Sequence, residues 1–210
     1  MDISPNRLLY KALVNPTAYA LLIANAFAIV TALQNHWGTS DIILLYWTQS
    51  VIIGVEMACR IILGDYNDEV QEMYRLGKSI ARNKYMLAGL LLLHYGFFHL
   101  AYFVVINKEV VSFSFYKFLL TPGVVESLLA FAINTVFSLF YNAYKDGGTI
   151  KDLNATVYQP YLRIIPMHMV IMVSGLIGIV TGGVAGGALL LIFLILKTVA
   201  DLLGQEWANT

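Results

Sequence analysis

The sequence predicts an all-α fold of the polytopic transmembrane class: a bundle of about six membrane-spanning helices with interfacial amphipathic helices, forming a single integral membrane domain over residues 1–210. Three observations predict it. Hydrophobic residues make up 59% of the chain and charged residues only 12%, whereas soluble domains carry roughly a quarter charged residues. The apolar residues gather into runs near the length of about 20 residues that crosses about 30 Å of hydrocarbon. Short polar or turn-rich connections separate these runs, so the lipid bilayer is the expected solvent and partner. The net charge is zero and no basic tract is present, which excludes a phosphate-tracking nucleic-acid surface.

Apolar windows place spans at 17–35, 41–63, 85–107, 123–143, 159–181 and 185–203. The first follows Arg7 and Lys11. It is longer than a signal-peptide core and lacks a small-residue cleavage site, so it is expected to be retained. Thr121 followed by Pro122 supplies a start signal for the fourth span, and Gln159 with Pro160 does so for the fifth. Cys59, the single cysteine, excludes an intrachain disulfide and reads as a small packed side chain.

Lysine and arginine set the expected orientation. Arg7 and Lys11 precede the first span, Arg75, Lys78, Arg82 and Lys84 lie between the second and third, and Lys145 and Lys151 follow the fourth, while the alternate loops hold Lys108 and Lys117. The positive-inside tendency therefore predicts a multi-pass cell-membrane protein with both termini cytoplasmic. Leu8, Leu9, Ala12 and Leu13 behind Ser4-Pro5, and Val70, Met73, Tyr74 and Ile80 amid charges, predict interfacial helices. Val111, Phe115, Phe118 and Leu119 fit a third, although the alternation in Ser112-Phe113-Ser114-Phe115 also fits a strand. Gly175, Gly178, Gly182, Gly183, Gly186 and Gly187 crowd the last hairpin. Such spacing permits close backbone approach, serving either a tight turn or a homodimer face through spans five and six.

At ~1.5 Å per residue, Asp201 and Arg163 lie roughly 5 Å inside the cytoplasmic edge, Glu56 and Lys197 about 10 Å, His94 and His168 about 14 Å, and Gln49 and His99 about 21 Å. An ionisable group at a helix centre costs on the order of 2.5 to 3.5 kcal/mol, so such groups turn inward, pair and mark cavities. A polar cavity lined by His94, His168, Arg163, Lys197, Asp201, Glu56 and Gln49 is the expected site. His94 and His99 are rotated roughly 140° from each other on an ideal helix and do not share a face. His99 reads as a histidine hydrogen-bonded to a neighbouring span, His36 as a solvated loop residue. Lys197 and Asp201 share a face and suit an ion pair with each other, or with Glu56 and Arg163. Arg60 and Arg163 are placed to snorkel to the interface. Glu126 in the first turn of its span complements the helix N-terminus, and Pro166 should kink the fifth span next to His168. A divalent metal, held by His94, His168, Glu56 and Asp201, is the alternative use of this set, although no HxxxH or HExxH spacing accompanies it.

Several strings carry a resemblance: Leu44-Leu45-Tyr46-Trp47 with Ile52-Ile53-Gly54, Leu92-Leu93-His94-Tyr95-Gly96, Pro160-Tyr161 with Arg163-Ile164 and His168, and Leu196-Lys197-Thr198 with Asp201-Leu202. Together they resemble a prokaryotic family of multi-spanning membrane proteins classed only as a domain of unknown function. The resemblance implies that His94, Arg163, His168, Lys197 and Asp201 belong to the family pattern, and it implies no activity. That pattern carries an acidic residue where this chain has Gln49 and a histidine where it has Gln205, departures that weigh against a metal.

Three functions follow from these expectations. The first is binding or conduction of a proton, ion or small polar solute through the polar cavity. The second is a metal-dependent intramembrane enzyme acting on a membrane-embedded substrate, with His94 and His168 as ligands or acid/base groups. The third is a structural or accessory membrane subunit whose polar core fixes helix register.

Overall fold

A computed structural model of the chain describes residues 16–109 and 115–145, together with Leu153, Val157 and Thr198. The described elements are α1 (Pro16–Gln34), α2 (Thr39–Leu63), α3 (Asn67–Arg75), α4 (Lys84–Glu109), α5 (Phe115–Leu120) and α6 (Val124–Lys145). Four of these, α1, α2, α4 and α6, are long and apolar enough to cross a membrane, and they coincide with the first four predicted spans. The fifth and sixth spans, apart from Thr198, lie outside the described residues. So do the N-terminal amphipathic segment and the glycine-rich hairpin.

The distribution of side-chain size explains why these helices assemble. On α1 the buried positions are Thr17, Ala18, Leu21, Ala24, Asn25, Ala28, Thr31 and Ala32, whereas Tyr19, Ile23, Phe27, Val30 and Leu33 are exposed. Small and polar residues face inward and bulky apolar ones outward. In lipid, where apolar burial offers no drive for association, small residues allow close packing between helices. The outward faces of α4 and α6 repeat the pattern with Leu93, Phe97, Ile133 and Phe140.

Helix α2 is the centre of the bundle: it packs against α4 and α6, and α6 packs in turn against α1. Within its spanning window α2 is 67% buried, against 28% for α4. The turns fix the helix directions. Trp37, between α1 and α2, donates its indole N–H to the Pro122 carbonyl before α6 at 2.9 Å, and the Thr121 hydroxyl donates to Asp41 at 3.4 Å. The starts of α2 and α6 are therefore neighbours and the two helices run parallel, with α1 antiparallel to both. Helix α6 begins at Val124, slightly later than the Thr121-Pro122 signal suggests. Gly123 takes the capping place, its carbonyl accepting the Ser127 N–H at 3.0 Å, while the Thr121 hydroxyl turns to Asp41. Asp41 also accepts the Gly38 N–H at 3.1 Å, closing the first turn of α2.

Two apolar clusters fill the interior. One lies beneath the turns, where Trp37, Ile42, Leu44, Tyr46, Phe118 and Val124 meet. The other lies toward α3 and joins Met57, Ile61, Tyr66, Val70, Leu91 and Phe131 with Leu153. Residues 115–120 form the short helix α5 rather than the alternative strand, with Phe118 fully buried, while Val111 lies outside the described residues.

Helix α3 confirms amphipathic character for the segment after the second span. Val70 is buried and Tyr74 exposed, with Asp68 and Glu69 in the first turn and Arg75 in the last, each sign suiting its end of the helix dipole. The Gly77 N–H bonds the Tyr74 carbonyl at 3.0 Å and the Lys78 N–H bonds Met73 at 2.9 Å, closing a Schellman motif with Gly77 at φ 68°. Gly77→Ala should destabilise this end by about 1–2 kcal/mol through the left-handed backbone alone, since nothing lies within 4 Å of the added carbon. Faster amide exchange at Gly77 and Lys78 is the readout, and unchanged protection there would contradict it.

Candidate polar site in the bundle interior

Helix α2 carries Gln49, Glu56 and Arg60 at spacings that return to one helical face. Glu56 and Arg60 pair with each other, the Arg60 Nη2 lying 2.6 Å from Glu56 Oε1 and Nε donating to the same oxygen at 2.7 Å. Arg60 also donates to Ser138 of α6 at 3.2 Å. Arg60 is only 4% exposed, so it does not snorkel, and Glu56 is engaged by its own helix neighbour. A buried ion pair extended by a hydroxyl satisfies charges that lipid would otherwise penalise.

Gln49 is 1% exposed, and neither its amide nitrogen nor its amide oxygen has a hydrogen-bond partner among the described residues. It lines a small cavity between α1 and α2 with Asn25, Ile42, Tyr46 and Thr198. The space open to a water centre is about 10 Å³, close to the minimum for one water molecule. Thr198, the residue after Lys197 in the chain, is the one described residue of the last predicted span and belongs to this lining. Gln49 and Asn25 each lie roughly 14–15 Å from the turn joining α1 and α2, near the middle of two helices long and apolar enough to cross a membrane. Helix α6 adds Ser127 and Asn134, both buried, and the Ser127 hydroxyl and Asn134 Oδ1 likewise have no hydrogen-bond partner among the described residues.

Across the seam between α2 and α4, the Tyr95 hydroxyl donates to the Ser50 carbonyl at 3.1 Å and lies 2.6 Å from the Ser50 hydroxyl. Gly54 makes this approach feasible, because a Cβ there would lie 2.5 Å from Tyr95 ring carbons. Trp47 donates its indole N–H to the His99 carbonyl at 2.9 Å. His99 is 3% exposed, and its Nδ1 lies 2.9 Å from the Tyr95 carbonyl. A carbonyl only accepts, so Nδ1 donates in this bond. Nε2 has no partner among the described residues. The bond that the sequence suggested to a neighbouring span is made instead within α4.

His94 stands on the exposed face of α4, stacked on Phe98 with ring centroids 5.2 Å apart. The two histidines do face apart, and His99 is the inward one because Leu91, Tyr95, His99 and Tyr102 form the buried stripe. Of the metal set, Glu56 is bound by Arg60, His94 is exposed, and His168 and Asp201 lie outside the described residues, as does Arg163. Among the described residues no three His, Cys, Asp or Glu side chains gather in a group able to hold a metal ion. Asn25, Ser127, Asn134 and Ser138 went unmarked in the sequence because no charge flags them. Their spacing on α6, where Ser127, Asn134 and Ser138 share one face, is the signal that could have found them.

The class these features define is a helical membrane protein with a polar interior. Residues 7–210 match the family described as Family of unknown function (DUF6498), and the chain belongs to it. No curated protein and no solved structure matches the chain.

Proposed function

We propose that the chain binds or conducts a proton, an ion or a small polar solute through the interior of its bundle, with Gln49 at the centre of the path. The observation that carries the reading is a carboxamide buried near the middle of a helix long and apolar enough to cross a membrane, with both polar atoms unpartnered among the described residues. Leaving such a group unsatisfied costs about 1–3 kcal/mol, and polar residues at membrane depth mark substrate and ion paths. Asn25, Ser127 and Asn134 extend the polar lining, and the Glu56–Arg60 pair bounds it toward α3. His168, Arg163, Lys197 and Asp201 of the last two spans complete the site, with Thr198 the contact that leads to them. His94 belongs to the outer face of α4 and has no part in it. Both termini lie in the cytoplasm of a cell-membrane protein.

Vesicles reconstituted with the full chain and given an imposed proton, sodium or potassium gradient test the reading. Wild type is expected to dissipate at least one gradient, and Gln49→Leu to reduce that flux at least tenfold. The same variant should unfold at an equal or higher temperature, because it removes a buried amide that has no hydrogen-bond partner among the described residues. Undiminished flux in Gln49→Leu, or a lower unfolding temperature, contradicts the proposal.

A further inference from the structure

The segment joining α3 to α4 holds an open cavity of about 660 Å³ that has no part in the interior site. Tyr74, Arg75, Gly77, Ser79, Arg82 and Met86 line it with Ile80. Three cations gather there. Arg75 and Arg82 form part of the wall, Lys78 follows the Gly77 turn, and all three are exposed. None of them forms an ion pair among the described residues, although Asp65, Asp68, Glu69 and Glu72 lie nearby in the same segment. Asp65 lies in the loop before α3, Asp68 and Glu69 in its first turn and Glu72 one turn before Arg75, and none of the four lines the cavity. Arg82 is held in place, its guanidinium lying 5.5 Å from the centre of the Tyr74 ring. The Schellman turn at Gly77 and the hydrogen bond from the Ala81 N–H to the Ser79 hydroxyl at 3.1 Å fix the loop between the two arginines.

Apolar side chains surround these charges without being covered. Ile80 is 70% exposed and Leu76 58%, and Tyr74 and Met86 are exposed beside them. A loop standing in water would gain nothing from that combination. At the bilayer surface it suits a molecule with an anionic headgroup and apolar tails. The cavity lies where α2 ends and α4 begins, tied by the Lys84 ammonium donating to the Gly64 carbonyl at 2.8 Å. That is the headgroup level of two spans. Arginine forks match phosphate oxygens bidentately.

We infer that this cavity is a binding site for one anionic phospholipid, its phosphate held by Arg75 and Arg82 with Lys78 adding charge, and its acyl chains against Leu76, Ile80 and Met86. The test uses the full chain in nanodiscs of phosphatidylcholine alone or with phosphatidylglycerol, and native mass spectrometry of the purified protein to count retained lipid. Each cation near an anionic surface contributes about fivefold in partitioning. Arg75→Gln/Lys78→Gln/Arg82→Gln should therefore weaken phosphatidylglycerol retention on the order of a hundredfold, with the unfolding temperature in phosphatidylcholine unchanged. Arg75→Lys/Arg82→Lys keeps the charge, and it should still lose about tenfold because the fork is gone. Equal phosphatidylglycerol retention by wild type and the triple variant overturns the inference. Full retention by the lysine variant overturns it too, because only diffuse attraction would then remain. So does displacement of the lipid by millimolar inorganic phosphate, which would assign the cations to a soluble anion.

Discussion

Arg60→Met is expected to destabilise the bundle by about 3–5 kcal/mol, the usual cost of stranding one member of a buried ion pair. Glu56 would lose its partner at 2.6 Å with its side chain only 9% exposed, and Ser138 would lose its donor from α2. The interior between α2 and α6 holds no other cation among the described residues to replace the guanidinium. Glu56→Gln/Arg60→Met should recover most of the loss, because removing both charges removes the desolvation penalty along with the attraction. Unfolding in lipid nanodiscs measures both. A single variant as stable as wild type would show that the pair is not buried as described.

Gly123→Ala should have an effect of similar size. Gly123 has φ 83°, where a side chain costs about 1–2 kcal/mol. A Cβ there would also collide with the side chain of Thr31 on α1, and such overpacking costs about 1–3 kcal/mol. The contact lies where α1 passes the start of α6, so relief requires α1 to shift away from Trp37 and the Pro122 carbonyl. Gly96→Ala is the matched control. Gly96 sits within α4 with nothing within 4 Å of an added carbon, and alanine is the better helix former by about 1 kcal/mol. Gly123→Ala should unfold well below wild type and Gly96→Ala at or above it.

The first four spans were legible because length and hydropathy act on the chain before any packing does. The predicted windows 17–35, 41–63, 85–107 and 123–143 fall on α1, α2, α4 and α6 within a few residues. Which face of each helix turns inward was far less legible. Helix α4 is apolar nearly all round, so nothing in its pattern chose between His94 and His99. The choice was made by Gly54 on α2, which admits the Tyr95 ring and so turns the Tyr95–His99 face toward the seam. Depth did single out Gln49 and Glu56, but it could not reveal that Arg60 folds back onto Glu56 instead of reaching the interface. Charge marked the ionisable residues and left the neutral amides and hydroxyls of α1 and α6 unnoticed. The weak spacing signal of Ser127, Asn134 and Ser138 acquires meaning only once α6 is known to pack against α2.

If the bundle interior is a path, polar solvent or solute reaches Gln49. Gln49→Cys on a Cys59→Ser background, treated with a small charged methanethiosulfonate reagent, tests it most directly. A cysteine at Ile133, which is 68% exposed on the outer face of α6, serves as the lipid-facing reference. Modification at position 49 at least tenfold faster than at position 133 is the predicted result, and equal or slower modification would contradict a polar path through the interior.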